Sequence, residues 1–193
     1  MDKYWNATKD KIENYERLGV KILEDSTKLI AKAPHIAPYA WLHSIYKPLN
    51  ADEILHLEKE LSTEIPDDYK HFLSKCSNGL NIFIDAFSLY GFRKRQGRTI
   101  EDSYQPYSII TRNRTERLRD ADSDMFFIGS YSWDGSLLYI QKGKVYRCTR
   151  KFTKPLNEWL SFEEMLVNEI DRIFLLHDKE GKIINEDIPT SPQ

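Results

Sequence analysis

Residues 65–79, IPDDYKHFLSKCSNG, contain the pattern that decides most of the fold. The proline suits the first turn of a helix, where its missing N–H is not needed, and the two aspartates after it suit the positive end of the helix dipole. Apolar residues recur at positions 69, 72, 73 and 76, which is the spacing of one helix face. Asn78-Gly79 then provides the left-handed residue that ends many helices. We therefore predict a short amphipathic helix that packs against a core.

A second helix is predicted just before this stretch. Asn50 and Glu53 form a capping-box pattern, in which each side chain accepts a hydrogen bond from the other residue's backbone amide. Ile54, Leu57 and Leu61 then repeat at helical spacing and form the buried face. The two helices have the order of a helix-turn-helix, but the proline and the acidic residues argue against a form that reads DNA.

On the C-terminal side the apolar period changes towards two, which indicates strands. We predict strands at 82–89, 107–110, 125–132, 136–141 and 144–148. The Asp134-Gly135 step is a hairpin signal between two of them. A second capping box, from Ser161 to Glu164, begins a last helix.

On the N-terminal side, residues 1–33 have a near-helical apolar period and are predicted to be helical, and residues 39–48 are predicted to be an aromatic connector. The order of helices, an antiparallel meander and a final helix predicts an α+β fold. In this fold helices flank a central, mostly antiparallel sheet, and an extra N-terminal helix is added. We predict a helical extension at 1–47 that packs on the core, a main domain at 48–176 and a C-terminal tail at 177–193, which is expected to fray beyond Gly181.

The composition excludes several classes of protein. The chain has 193 residues, of which 40% are hydrophobic and 30% charged, enough for one globular domain. The net charge of −2 gives no overall basic field for nucleic acid, and no apolar stretch has the length of a membrane span or a leader segment. Cys76 and Cys148 are too few for a disulfide framework. We expect a cytoplasmic protein with two buried free thiols and no membrane partner.

Motifs for catalysis and for cofactors are missing from the sequence. It has no P-loop, no Gly-x-Gly-x-x-Gly, no Gly-x-Ser-x-Gly and no His-Glu-x-x-His, so we predict no catalytic residue and no cofactor. The five histidines are scattered, with none at the i, i+4 spacing of a helical metal site, and we predict no metal ligand. His71 and Cys76 are five residues apart, which on an α-helix separates them by about 140° and argues against a nucleophile pair.

The acidic stretch 120–124 has the spacing of the first ligands of a calcium loop. However, Met125 and Tyr131 stand where such a loop needs its glycine and its bidentate glutamate. We therefore predict a solvated acidic turn before a strand.

Charge is distributed unevenly along the chain. Residues 52–68 contain seven acidic residues and one basic residue, whereas residues 93–119 contain eight basic residues, Arg98 among them, and three acidic ones. These stretches are either solvated helix ends and loops, or an acidic and a basic face that steer a charged protein partner. Nucleic acid is the weaker alternative for the basic stretch, because few aromatic residues interleave with it. Trp133, at the predicted hairpin tip, is a further candidate for binding, since exposed aromatic residues often anchor interfaces.

Four segments together resemble the SMI1/KNR4 superfamily, also called SUKH. They are residues 51–58, 65–79, 127–135 and 161–166, and the second of them is the most specific. The resemblance covers roughly residues 41–167. It implies an α+β fold with a central sheet and a role without catalysis. Many bacterial members are immunity proteins that bind and block a polymorphic toxin, often a nuclease or a deaminase, and fungal members are scaffolds in cell-wall synthesis and signalling.

The first hypothesis is therefore an immunity protein that neutralises a cognate toxin by direct binding. The second is a regulator or scaffold without a toxin, and the third is an enzyme, which a deep pocket with convergent ionisable groups would support. The predicted partner-binding residues are Asp52, Glu53, Asp67, Asp68, Asp120, Asp122, Asp124, Tyr131, Trp133 and Asp134.

Overall fold

The structure of this chain is a computed structural model that describes residues 1–97 and 99–193. In these residues nine strands form one sheet, in which each strand pairs antiparallel with its neighbours in the sequence. The strands are β1 (Val20–Ile22), β2 (Lys28–Lys32), β3 (Trp41–Ile45), β4 (Leu80–Ile82), β5 (Phe87–Leu89), β6 (Phe126–Ser130), β7 (Leu137–Gln141), β8 (Lys144–Cys148) and β9 (Pro155–Trp159). The α+β prediction, with an antiparallel sheet and helices, is confirmed.

Helices precede, interrupt and follow this meander. They are α1 (Asp2–Glu13), α2 (Ala51–Leu61), α3 (Asp67–His71), α4 (Ile100–Ser103) and α5 (Phe162–Leu175). One 3₁₀ turn covers Glu16–Leu18, and two π turns cover Phe72–Cys76 and Thr111–Thr115. None of the helices described is both long and apolar enough to cross a lipid bilayer.

The sheet has apolar contacts on both faces in its central strands. On β6, Phe126 and Ile128 belong to the main core with the helices, whereas Phe127 belongs to a second cluster. The second cluster contains Tyr139 of β7 and is covered by Leu118 from the loop before β6. The alternation follows from the two-residue period of a strand. The acidic segment 120–124 belongs to the loop that seals this second face.

The capping signals read from the sequence are largely correct. The Asn50–Glu53 capping box is present, with both hydrogen bonds at 2.9 Å. At the last helix, Ser161 accepts from the amide of Glu164, but the Glu164 carboxylate accepts from Leu160 instead of Ser161. This second box is therefore only half formed.

The prediction for the first 48 residues is wrong after α1. The chain leaves the helical path, passes Gly19 at a φ of 111°, and forms the β1–β2 hairpin and then β3. Residues 20–45 thus supply three strands to the common sheet where we predicted a helix and a connector. Pairing along the sheet outweighs the local helical period, as tertiary contacts commonly do.

Two further strand predictions need correction. The stretch 82–89 is not one strand, because Phe83, Ile84 and Asp85 turn with positive φ between β4 and β5. At 107–110, Ser108 makes an isolated bridge and the chain then becomes helical. The edge strand β9 was not predicted.

The end of the chain does not fray as predicted. Thr190 and Ser191 are buried. The carbonyl of Thr190 accepts from Arg172 at 2.6 Å, and that of Pro192 accepts from Arg147. These contacts hold the C-terminal residues against α5 and β8. The division of the chain at 47/48 and at 176/177 stays a prediction.

Candidate functional site

A pocket of about 480 Å³ opens between the β4–β5 turn, the end of β6 and the helical segment that begins after Ser108. The residues that line it are mostly polar and include two arginines, two acidic residues and six hydroxyl groups. They are Asp85, Tyr90, Arg93, Tyr107, Ser108, Thr111, Arg112, Glu116, Ser130 and Ser132. Such a concave polar site suits the recognition of a polar or charged group of a ligand or a partner.

Asp85 is the acidic group on one side of the pocket. Its position depends on the β4–β5 turn, where Asp85 itself has a φ of 68°. Its carboxylate accepts a hydrogen bond from the hydroxyl of Tyr107, and its carbonyl accepts from the amide of Ser132 at 3.2 Å. Burial raises the pKa of Asp85, although the hydrogen bonds from Tyr107 and Ser88 act in the opposite direction. Asp85 therefore joins three separate segments around the pocket.

The two arginines of the pocket are held by neighbouring groups. Arg93 donates to the carbonyl of Asp102 at 2.8 Å, and Arg112 lies 3.3 Å from the carboxylate of Glu116, one helical turn away. Burial raises the pKa of Tyr90 beside them, so its hydroxyl stays protonated. The pocket consequently presents hydrogen-bond donors and acceptors, and both positive and negative charges, in fixed positions.

Two exposed aromatic residues belong to the segments that form this pocket: Tyr107 lines it, and Trp133 is the next residue in the chain after a lining residue. Trp133 follows the lining residue Ser132 and is 49% exposed, and Tyr107 is 45% exposed. We call the surface formed by the aromatic residues Tyr107 and Trp133, together with Ser132, which lines the pocket and precedes Trp133, the aromatic rim. Tryptophan, tyrosine and arginine are the residue types that most often carry the binding energy of a protein interface.

The hairpin that carries Trp133 is fixed from beneath by Arg147. This arginine on β8 is only 5% exposed. It donates to Ser136 at 2.9 Å, to Asp134 at 2.6 Å and to Asn157 at 2.7 Å. Burial opposes ionisation of Asp134, but the hydrogen bonds from Ser136 and Arg147 outweigh it and lower the pKa of this carboxyl. Asp134 is thus ionised and engaged within the chain.

Tyr131 has to be removed from the predicted binding surface. Its side chain is 1% exposed and packs against Phe87, with the guanidinium groups of Arg147 and Arg172 near its ring. Tyr131 belongs to the main core, and the turn that begins at Ser132 carries Trp133 back to the surface. Tyr131 is therefore a core residue and cannot contact a partner directly.

The three aspartates of the 120–124 turn are exposed, but two of their carboxylates are used within the chain. Asp120 accepts from the amide and the hydroxyl of Thr153 at 2.9 and 3.0 Å, and these bonds lower its pKa. The carboxylate of Asp124 accepts a hydrogen bond from Gln141 at 2.7 Å. At Asp122 the backbone carbonyl, and not the carboxylate, accepts from Arg117. The turn holds loops together over the second cluster.

The acidic and the basic stretch are not two separate faces, contrary to one reading of the sequence. Lys94 pairs with Glu53 near the start of α2, and Arg114 donates to the carbonyl of Leu61 at its end, at 3.0 Å. Asp52 and Glu53 line a second, more open cavity together with Arg93 and Lys94. Arg98, which we counted in the basic stretch, lies outside the described residues.

Asp67 and Asp68 lie elsewhere, at the start of α3 beside the start of α5. Burial and the neighbouring carboxylates of Glu163 and Asp67 raise the pKa of Asp68. The amino group of Met1 lies 3.6 Å from Glu163. The ten predicted residues therefore do not form one surface. None of them lines the pocket, although Trp133 and Asp134 directly follow the lining residue Ser132 in the chain.

The sequence did not reveal the principal residues of the pocket. Asp85 lies in a turn that we took for the middle of a strand, and no glycine or proline marks that turn. In the sequence, Arg93 and Arg112 stand out only as members of the basic stretch, and Tyr107 only as the start of a predicted strand. Their convergence depends on pairing between segments that are distant in sequence, which no local pattern records.

Taken together, the antiparallel meander and the helices packed on it define an α+β domain with a polar pocket on its surface. The sequence profile of the SMI1/KNR4 family (SUKH-1) matches residues 48–168, more than half of the chain, and the chain belongs to this family. The predicted resemblance is confirmed. The family is generally non-enzymatic, and its SUKH domains include known immunity proteins. No match to a curated protein is found for this chain.

Proposed function

We propose that this chain is a non-enzymatic, protein-binding immunity protein that neutralises a cognate bacterial toxin of the nuclease or deaminase type by direct binding. The observation that carries the proposal is the exposed Trp133, which directly follows a lining residue of a polar pocket in a domain of the SMI1/KNR4 family. The family supports binding without catalysis, and the aromatic rim supplies a physical means of binding.

The aromatic rim is suited to anchor a partner because it is held in place before binding. Arg147 fixes the residue after Trp133, and Asp85 binds both Tyr107 and the residue before Trp133. An anchor that is already ordered loses less conformational entropy when it binds. The adjacent pocket, with Arg93 and Arg112, would receive a polar or acidic side chain of the toxin.

Exposed acidic residues of the predicted set can still contribute to association. Asp52, Asp67 and Asp122 are exposed and, although they lie on different parts of the surface, would attract a basic nuclease toxin from a distance. Charges at the edge of an interface chiefly raise the association rate and make it depend on salt. We assign them steering, and we assign the binding energy to the aromatic rim.

The alternative is a regulator or scaffold without a toxin partner. The same surface would then bind several proteins weakly, and no single partner would be toxic. The pocket also contains convergent ionisable groups, the feature that would support an enzyme. Among its described lining residues, however, none is a histidine or a cysteine that could act as a base or nucleophile beside the serines.

The deciding experiment is rescue of growth. Proteins captured with the tagged chain are identified, and each candidate with a toxin-like domain is expressed alone and together with this chain. The proposal expects one candidate that stops growth alone and is neutralised by the wild-type chain and by the Tyr39→Ala control, but not by Trp133→Ala combined with Tyr107→Ala. Tyr39 is an exposed tyrosine in the β2–β3 loop. Several weak partners, none of them toxic, would favour the scaffold.

A further inference from the structure

The π turn after α3 brings together two residues that an α-helix would keep apart. In this turn the amide of Ser77 donates to the carbonyl of Phe72, five residues earlier, at 2.9 Å. Because hydrogen bonds of this kind join residues i and i+5, residues five apart lie on one face. His71 and Cys76 therefore face the same side, and the separation of about 140° expected for an α-helix does not occur.

Asp2 of α1 completes a group of three potential metal ligands. One ligand atom each of Asp2, His71 and Cys76 lies within 4.8 Å of the other two. Nε2 of His71 is 2.9 Å from Oδ1 of Asp2. Zinc binds such atoms at about 2.0–2.3 Å in a tetrahedron, which places neighbouring ligands roughly 3.3–3.8 Å apart. The observed spacing needs only small side-chain movements to reach this geometry.

The elements that carry these ligands are already packed together. Trp5 of α1 is buried, and its ring meets that of Phe72, the first residue of the π turn, edge to face at 5.6 Å. Cys76 is almost fully buried, whereas Asp2 is exposed and His71 is partly exposed. A metal ion can thus enter from solvent and reach a thiolate at the inner end of the site. Rigid elements hold a metal site more precisely than loops do.

We propose that Asp2, His71 and Cys76 form a Zn²⁺ site with three protein ligands and one water. The ion would join α1 to the turn that follows α3, and so fasten the N-terminal helix to the family domain. On binding, the Cys76 thiol loses its proton to solvent as the S–Zn bond forms, and neutral His71 binds through nitrogen. The proposal is independent of toxin binding.

The affinity of this site depends on pH. Burial raises the pKa of Cys76 to about 11, with the Asp2 carboxylate acting in the same direction. Zinc must therefore displace a firmly held proton, and binding strengthens as the pH rises. In the absence of zinc the same thiol is a poor nucleophile.

Titration of the metal-free full chain with Co²⁺, followed by Zn²⁺, tests the proposal. We expect a near-ultraviolet thiolate-to-cobalt charge-transfer band that Zn²⁺ abolishes by displacement, and a melting temperature that rises with Zn²⁺ and falls again with a chelator. Cys76→Ser should remove the band. Asp2→Asn should weaken binding by about tenfold or more, the size of loss that even outer-shell changes produce.

Two matched variants serve as controls. Cys148→Ser alters the other buried thiol. His56→Gln alters a histidine that also pairs with a carboxylate, that of Glu60 at 2.7 Å, but does not belong to the proposed group of ligands. Both should bind Co²⁺ as the wild type does. Because Asp2 is exposed, Asp2→Asn tests the site even if Cys76→Ser fails to fold. The proposal is overturned if the wild type shows no thiolate band. It is also overturned if Asp2→Asn leaves both the band and the affinity for the metal unchanged.

Discussion

The guanidinium of Arg147 lies 2.6 Å from the carboxylate of Asp134, and this contact fixes the residue that follows Trp133. Arg147 is buried and also donates to Ser136, Asn157 and the carbonyl of Pro192. One side chain thus holds the β6–β7 hairpin, the edge strand and the end of the chain. An exposed tryptophan on so firmly held a turn is suited to binding a partner without prior rearrangement.

Replacing Arg147 should therefore destabilise the fold. We expect Arg147→Ala to lower the free energy of unfolding by about 2–4 kcal/mol, because it leaves partly buried polar groups without partners. Urea denaturation measures this. Lys144 on the same strand, paired with Glu158 at the surface, is the control, and Lys144→Ala should change the stability far less than Arg147→Ala does. Equal, small losses for both variants would show that Arg147 does not hold the hairpin.

Gly79 of the most specific motif should resist substitution because of its surroundings. It has a φ of 89°, and a Cβ there would lie 2.8 Å from the carbonyl oxygen of Leu89 and 2.9 Å from Cβ of Pro106. Gly143, in the β7–β8 turn, has a φ of 77° but nothing within 4 Å of its Cβ position. Both Ala variants carry backbone strain of about 1 kcal/mol, and Gly79→Ala should lose about 2 kcal/mol or more beyond that. If the two variants unfold at the same urea concentration, the close contacts are not important.

The buried His43 should make stability depend on pH on the acid side. Burial lowers its pKa from 6.5 to about 3, and His177, which stacks on the Phe83 ring beside it, acts in the same direction. As the pH falls below 6.5, the unfolded state takes up a proton that folded His43 does not. The contribution of neutral His43 to the free energy of unfolding is therefore fully present above pH 6.5. It is lost as the pH falls towards about 3, by up to about 1.4 kcal/mol per pH unit.

Unfolding free energies between pH 7 and pH 4 check this prediction. His43→Phe keeps an aromatic ring among Tyr15, Phe83 and Phe174, and should reduce the slope of stability against pH by close to one proton. His35, which is exposed, is the control, and His35→Gln should keep the wild-type slope. The account of His43 is wrong if His43→Phe keeps that slope as well.

Local patterns in the sequence were sufficient for some parts of the fold. The Asn50 capping box, the strand at 144–148 and the start of the last helix depend on neighbouring residues, and these predictions are confirmed. The stretch 20–45 was misread because its strands are stabilised by pairing with distant strands. The turn at Phe83-Ile84-Asp85 was missed because β-branched and aromatic residues rarely adopt positive φ, and here the sheet imposes it.

The candidate site was predicted only at its exposed edge. Trp133 was found because an Asp-Gly turn places it at a hairpin tip, and it is exposed. Tyr131, two residues earlier, was misassigned because its burial in the main core depends on contacts with residues distant in sequence, such as Phe87 and Arg172. Likewise, His71 and Cys76 were separated on the assumption of an α-helix, and the π turn that unites them leaves no recognised mark in the sequence.

The most direct measurement is calorimetric titration of the captured toxin domain with purified wild type, Trp133→Ala and the Tyr39→Ala control. The account predicts one-to-one binding that Tyr39→Ala leaves unchanged. It also predicts that Trp133→Ala weakens binding by at least about 2 kcal/mol, roughly thirtyfold, as for the central residues of other interfaces. Trp133 is exposed, so this variant should unfold at the same urea concentration as the wild type. Unchanged affinity for Trp133→Ala would contradict the claim that the aromatic rim binds the partner.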